Sequence, residues 1–321
     1  MEDDRVSIVK FGEDLYQTLS HGLNLIDFQV PSDRSILIKP NLCTEIDKTG
    51  ASTTNIPFIK ALINVILKED RKAAIRIIES NSGMKSVGVA FKNLGYTELV
   101  NEFQEQGFDV SLINLSEEPL TTVTQQGLYF KEISLPKILV EPKFLISVAK
   151  AKLLSLTTIT CVLKNQIGCL ARMRFKYHKR LDEVIVDLND VLRPDLGIVD
   201  AIVGQTDSEG GKIIPIGVVV LGRSPASVDS VMAQIMRFNP REIRHLTLAE
   251  EQGLGSLNPV VVGESIDDVA VRIRAPHTFM DDLLMAIIRI APGWFASFLE
   301  RVFIFFESRT RDSRAQAISN S

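Results

Sequence analysis

Cysteine is scarce in this chain. Its 321 residues include three, Cys43, Cys161 and Cys169, an odd number with no C-x-x-C pair. That argues against a disulfide framework or a cysteine clip for zinc or iron–sulfur, and fits reduced thiols that pack as small hydrophobes. A basic excess is also missing. The formal net charge is -4, whereas nonspecific nucleic-acid binding needs a cationic surface that releases counterions from phosphates; nucleic acid is not an expected partner. The start, MEDDRVSIVK, is acidic and has no apolar run after a basic stretch, so it does not read as a secretory signal, and a cytoplasmic chain is expected. G-x-G-x-x-G, Walker A and G-x-S-x-G motifs are absent, and the histidines His21, His178, His245 and His277 are scattered. No metal site is expected from them. Internal repeats, low-complexity segments and a Gly-, Ser- or Pro-rich linker are lacking too, which favours one intertwined unit.

What is present is an ordinary globular composition, 45% hydrophobic and 24% charged, with short apolar runs alternating with helical spacing. Residues 6–9, 35–38 and 75–78 read as strands, and 13–25 and 56–67 as helices, the second with Pro57 in its first turn. Strand, helix, strand predicts a doubly wound, mainly parallel, Rossmann-like α/β sheet. Runs at 110–112, 121–123, 129–133 and 144–148 suggest an antiparallel insertion or sheet edge. The alternation resumes with a helix at 181–192, strands at 196–200 and 216–221, and a helix at 224–236.

Open parallel sheets bind ligands beyond the carboxyl ends of their strands. Polar residues follow apolar strands at Lys39 and Asn41, at Glu79 through Gly83, at Asp200, and at Lys150 and Lys152. Taken singly, such a lysine is usually a solvated loop residue and such an aspartate a cap or turn former. Jointly they predict a cleft of amines and carboxylates suited to a small anionic ligand. In "KAKLLSLTTITCVLKNQIGCL", residues 150–170, a helix is expected to start near Leu156 under a Ser155, Thr157 or Thr158 cap, with its amides toward Lys150 and Lys152. Lys164 and Asn165 fall two turns further on and need not share that site. The loop from Gly204 to Lys212 reads as a hairpin, and the basic run from Arg174 to Arg180 as a solvated face.

In order along the chain stand Ile36 to Leu42 (ILIKPNL), Lys150-Ala151-Lys152, Leu163 to Gly168 (LKNQIG), Ile198 to Ile202 (IVDAI) and Arg223 to Asp229 (RSPASVD), followed by Phe238-Asn239-Pro240 and Gly253-Leu254-Gly255. Over about residues 30–256 this resembles the domain-of-unknown-function 362 family of prokaryotic proteins. The resemblance implies no settled reaction. Many members look like iron–sulfur proteins because ferredoxin-type cysteine motifs stand beside the core. This chain lacks those cysteines, so no iron–sulfur cluster is expected in it, and its cofactor is open. The family's usual Lys-x-Lys-Thr-His appears here as Lys150 to Leu154 (KAKLL), and its Gly-Pro as Gly210-Gly211. Binding residues persist where the histidine has gone.

Residues 1–275 are thus expected to form the α/β domain, 276–306 an apolar helical hairpin, and 307–321 a polar tail. Pro292, Arg289, Glu300 and Arg301 interrupt the apolar stretch, so a spanning helix is not expected. The stretch reads either as helices packed on the body or on a second copy, or as an amphipathic anchor at a membrane surface. The leading functional expectation is a cytoplasmic, potentially membrane-associated enzyme or enzyme component that binds a small anion through Lys39, Asn41, Lys150, Lys152, Lys164, Asn165 and Asp229. Glu79 and Asp200 are its candidate base or metal ligand. The alternative is a noncatalytic accessory subunit that partners a separate iron–sulfur or redox protein through the C-terminal helices.

Overall fold

The computed structural model describes residues 4–31, 35–47, 49–82, 85–141, 143–154, 156–170, 174–206 and 211–273. The apolar C-terminal stretch and polar tail expected over 276–321 lie outside the described residues. The described elements run β1 (Arg5–Lys10), α1 (Leu15–Leu25), β2 (Ser35–Pro40), α2 (Ile56–Glu69), β3 (Ile75–Glu79), α3 (Val87–Asn93), α4 (Tyr96–Glu105) and β4 (Val110–Asn114). They continue with β5 (Leu120–Thr124), β6 (Glu132–Pro136), β7 (Lys143–Leu154), β8 (Thr158–Thr160), α5 (Val162–Asn165), α6 (Leu181–Leu192) and β9 (Leu196–Gln205). β10 (Ile213–Gly222), α7 (Pro225–Ile235), α8 (Arg244–Glu251), β11 (Val260–Gly263) and α9 (Ile266–Val269) complete them.

The main sheet has the order β11-β1-β10-β9-β7-β2-β3-β4, with β8 added to β7. β9, β7, β2, β3 and β4 are mutually parallel, while β10 runs antiparallel to both β9 and β1. This is the mixed α/β architecture that the alternation predicts. Alternate strand residues feed opposite layers. Ile36, Ile38, Ile146 and Val148 pack with α1, α2 and α4, whereas Leu37 and Leu145 pack with α6, and Ala149, Ala151 and Val199 with α5, α7 and α8.

Three expectations are corrected. β9 does not end at Asp200 but continues to Gln205, so Asp200 lies within a strand; β1 and β2, moreover, are separated by β10, β9 and β7. Local alternation cannot reveal this, because a strand's partner depends on long-range pairing. Of the four runs read as an antiparallel insertion or sheet edge, β5 and β6 form a separate antiparallel hairpin and β4 is the edge of the main sheet, pairing in parallel with β3; β7 departs from the reading, because it is central in that sheet. Finally, no helix begins near Leu156. β7 runs on to Leu154, turns, and returns as β8, so that Lys150 and Lys152 lie within a strand. The extra pairing of Leu153 and Leu154 with Ile159 and Thr158 outweighs the local cap signal.

The β5–β6 insertion is tied down by a carboxylate. Buried Asp187 of α6 accepts the backbone N–H groups of Leu128, Tyr129 and Phe130, each at 2.7 Å. A side chain at Gly127 would place its Cβ 2.4 Å from Asp187 Oδ2, so the close approach requires glycine there.

Candidate functional site

The parallel register brings the carboxyl ends of β2, β3, β7 and β9 to one edge of the sheet, with Lys39 opposite Ser147 and Lys150 opposite Asp200. Lys39 stands at the end of β2, and Glu79 at the end of the adjacent β3. Lys39 Nζ donates to Glu79 Oε2 at 2.7 Å, with both side chains almost fully buried. The other carboxylate oxygen, Oε1, accepts the Ser80 amide at 2.8 Å and faces Lys85 Nζ at 3.6 Å and Arg174 Nη2 at 3.8 Å. One carboxylate therefore holds three cations. Burial alone pushes the Glu79 carboxyl up, but Lys39, Lys85 and Arg174 together outweigh it and hold the group below its ordinary value. Lys85, also bound to the Leu42 carbonyl, is pulled down to about 8 by burial against the opposing pull of Glu79.

Gly168 packs directly against this ion cluster. It sits in the tight turn Gln166–Cys169 that follows α5, and a Cβ there would lie 2.5 Å from Lys39 Cε and Nζ. Its carbonyl accepts from Ser80 Oγ at 2.7 Å and Arg174 Nη2 at 3.2 Å. The backbone thereby reaches the ion cluster directly.

Asparagines carry the network toward β7. Asn165 donates from Nδ2 to the Lys39 carbonyl at 3.0 Å and to Ser147 Oγ at 3.1 Å, while its Oδ1 accepts from Asn41 Nδ2 at 3.2 Å. Asn41 Oδ1 in turn accepts from Lys152 Nζ at 2.7 Å. Lys152 also donates to the Ser52 carbonyl at 2.8 Å and approaches Cys43 Sγ at 3.4 Å. The loop that supplies Asn41, Cys43 and Ser52 is organised by Asp47. Its carboxylate accepts the amides of Thr49, Gly50, Ser52 and Thr53. Ser52 Oγ fastens the loop to Gln205 of β9 at 2.9 Å.

Lys150 and Lys152, two residues apart on a strand, project from the same face. Lys150 forms a closed ion pair with Asp200 at 3.0 Å, both buried. Lys164, on α5, differs from every other amine of the group. Lys39, Lys85, Lys150 and Lys152 each donate to named acceptors, but no hydrogen bond or ion pair from Lys164 Nζ to a described residue occurs. It is partly buried. Burial first, then the Lys152 ammonium, lowers its pKa to about 8.

The sequence-predicted residues therefore mostly converge. Lys39, Asn41, Glu79, Lys152 and Asn165 form one bonded network, and Asn165 shares it despite the spacing that set it apart. Lys164 stands beside it, and the Lys150–Asp200 pair lies next to Lys152 on the same strands. Asp229 has a different place: fully buried on α7, it accepts the amides of Val162 and Leu163 at 2.7 and 2.9 Å and so caps α5. Burial raises its carboxyl to about 7 against those two hydrogen bonds. Lys85, Arg174, Ser52 and Gln205 escaped the sequence reading, and Gly168 entered it only as the last residue of the LKNQIG segment. Arg174 belongs to the run read as a solvated face, yet it reaches Ser80 Oγ, the Asn81 carbonyl and Glu79; Lys85, just past the flagged Glu79–Gly83 segment, left a positional signal. Among the described residues, no cluster of three or more His, Cys, Asp or Glu side chains could hold a metal ion.

The chain is 27% identical over 243 residues to the thylakoid-associated protein sll1697 of Synechocystis sp. (strain ATCC 27184 / PCC 6803 / Kazusa), covering 73% of this chain and 71% of that protein. Among solved structures, the lactate racemase apoprotein from Thermoanaerobacterium thermosaccharolyticum superposes with a TM-score of 0.41 at 11% identity, over 70% of this chain and 57% of that one. A family model described as "Domain of unknown function (DUF362)" matches residues 36–234, a span that includes every residue of the cluster at the strand ends. This chain belongs to the DUF362 family.

Proposed function

We propose that this protein binds a small anion at the carboxyl edge of its sheet. Lys152, Lys164 and Arg174 face the ligand, and the Lys39–Glu79 pair forms the floor. The observation that carries the reading is a charge imbalance. Lys39, Lys85 and Arg174 surround the carboxylate of Glu79, while Lys152 and Lys164, adjoining that network through Asn41 and α5, have no ion-paired carboxylate among the described residues, Asp200 being already neutralised by Lys150. Like charges held together away from water are costly, and a bound anion relieves that cost. Glu79, whose proton affinity is lowered by its cations, serves as a fixed counter-charge in this reading, as does Asp200 toward Lys150.

A thermal-shift series with inorganic phosphate, oxalate and small carboxylate or phosphate metabolites tests the proposal, because a ligand that binds the folded state raises Tm. The wild type is expected to gain Tm with at least one anion, and the Lys152→Met/Lys164→Met double variant to lose that gain. Equal shifts in both proteins would remove the reading.

The relative is named as thylakoid-associated. No described helix is long and apolar enough to cross a membrane. For this chain we infer a cytoplasmic protein that meets a membrane surface through the Trp- and Phe-rich stretch 276–306, flanked by arginine. Flotation with anionic liposomes is expected for the full chain and is lost when Trp294, Phe295 and Phe298 are changed to Ser; failure of the full chain to float would overturn it.

A further inference from the structure

Four of the five lysines at this edge are tied to acceptors: Lys39 to Glu79, Lys85 to the Leu42 carbonyl, Lys150 to Asp200, and Lys152 to Asn41 and Ser52. Lys164 has no such tie to any described residue. A lysine kept only to balance a carboxylate would be paired with one, as Lys39 and Lys150 are. Lys164 is also partly open to solvent, at the end of a four-residue helix whose start is clamped by Asp229. Its backbone is fixed while its amine remains available.

We propose that Lys164 is a carbonyl-reactive amine, which forms an imine with an aldehyde- or keto-bearing anion held by the neighbouring cations. The inference rests on the anion-site reading and names the ligand's second functional group. In the step, the Nζ lone pair attacks the carbonyl carbon, and the C=O π pair moves to oxygen. The C–O bond of the resulting carbinolamine then breaks and oxygen leaves as water, taking one proton from the amine and one from solution. The product is a protonated imine, with no net oxidation. The cations supply orientation and stabilise negative charge on the oxygen during attack.

The electrostatics support the chemistry. The groups facing Lys164 are Lys152 from β7, Arg174 and Cys43. Burial and Lys152 lower its pKa to about 8, so roughly a tenth of it is the neutral amine at pH 7, against less than a thousandth for an ordinary lysine. Removing the charge on Lys152 would raise that pKa and slow the reaction; a bound anion shifts it the same way but delivers the carbonyl.

The test uses the full chain with pyridoxal 5′-phosphate, an anionic aldehyde, and with pyridoxal, the same aldehyde without phosphate, each followed by borohydride reduction and peptide mapping by mass spectrometry. One dominant secondary-amine adduct is expected at Lys164. It should form on the order of tenfold faster with the phosphorylated probe, be slowed by inorganic phosphate, and vanish in Lys164→Arg with the fold confirmed by circular dichroism. Adducts spread over exposed lysines with Lys164 unlabelled would overturn the amine's role. If phosphate still raises Tm in that case, the anion site stands; if phosphate neither raises Tm nor slows labelling, the anion reading falls as well.

Discussion

Lys39 and Glu79, forty residues apart in sequence, meet at 2.7 Å on adjacent parallel strands, and the contact is sealed from water by the Gly168 backbone. This pair anchors the charged edge of the sheet. Neutralising Glu79 leaves Lys39, Lys85 and Arg174 facing one another without their counter-charge. Glu79→Gln is therefore expected to cost about 3–5 kcal/mol in urea denaturation, since breaking a buried ion cluster strands its remaining charges. Added phosphate should restore part of the loss, because it replaces the missing anion.

Gly168 is needed for space rather than for a special backbone angle. Gly168→Ala would drive a methyl group to 2.5 Å from Lys39 Nζ. The expected loss is about 1–3 kcal/mol, the usual range for overpacking, together with loss of any anion-induced Tm shift. Unchanged stability and ligand response would show that the turn yields freely.

Lys164 predicts an opposite effect on stability. Its pKa in the folded protein, about 8, lies below the ordinary 10.5, so the folded state disfavours the ammonium. Between those two values the unfolded chain binds more protons, and stability from this group rises with pH. Below pH 8 the full penalty applies. Lys164→Met is expected to be more stable than wild type at neutral pH by about 1–3 kcal/mol, with the gap closing as pH climbs from 8 to 10.5. A gap that does not narrow would exclude the lysine as its source.

Asp229 titrates with the reverse dependence. Its carboxyl is raised from 3.8 to about 7 in the folded protein, which then holds the proton more tightly than the unfolded chain. The contribution to stability declines as pH rises through that window and levels off above it. The stability difference between wild type and Asp229→Asn should fall by about 1.4 kcal/mol per pH unit at most across the window. Chemical denaturation at several pH values measures the slope, and a flat difference would contradict the assignment.

The sequence by itself determined the α/β alternation, the helices α2, α6 and α7 to within two or three residues at each end, and the strand-end positions of Lys39 and Glu79, because apolar periodicity and strand-terminal polarity are local properties. The tertiary structure decided what those residues touch. Pairing of β7 with β8 and β9 placed Lys150 and Lys152 inside a long strand where local caps spoke for a helix. The turn after α5 laid Gly168 over Lys39, and Arg174, the first residue of a run read as solvated, turned inward to Glu79. Which lysines are neutralised, and that Lys164 has no acceptor among the described residues, depends on contacts across tens to more than a hundred residues of chain. Local sequence cannot encode such contacts singly, since each exists only once the sheet has brought its strand ends together.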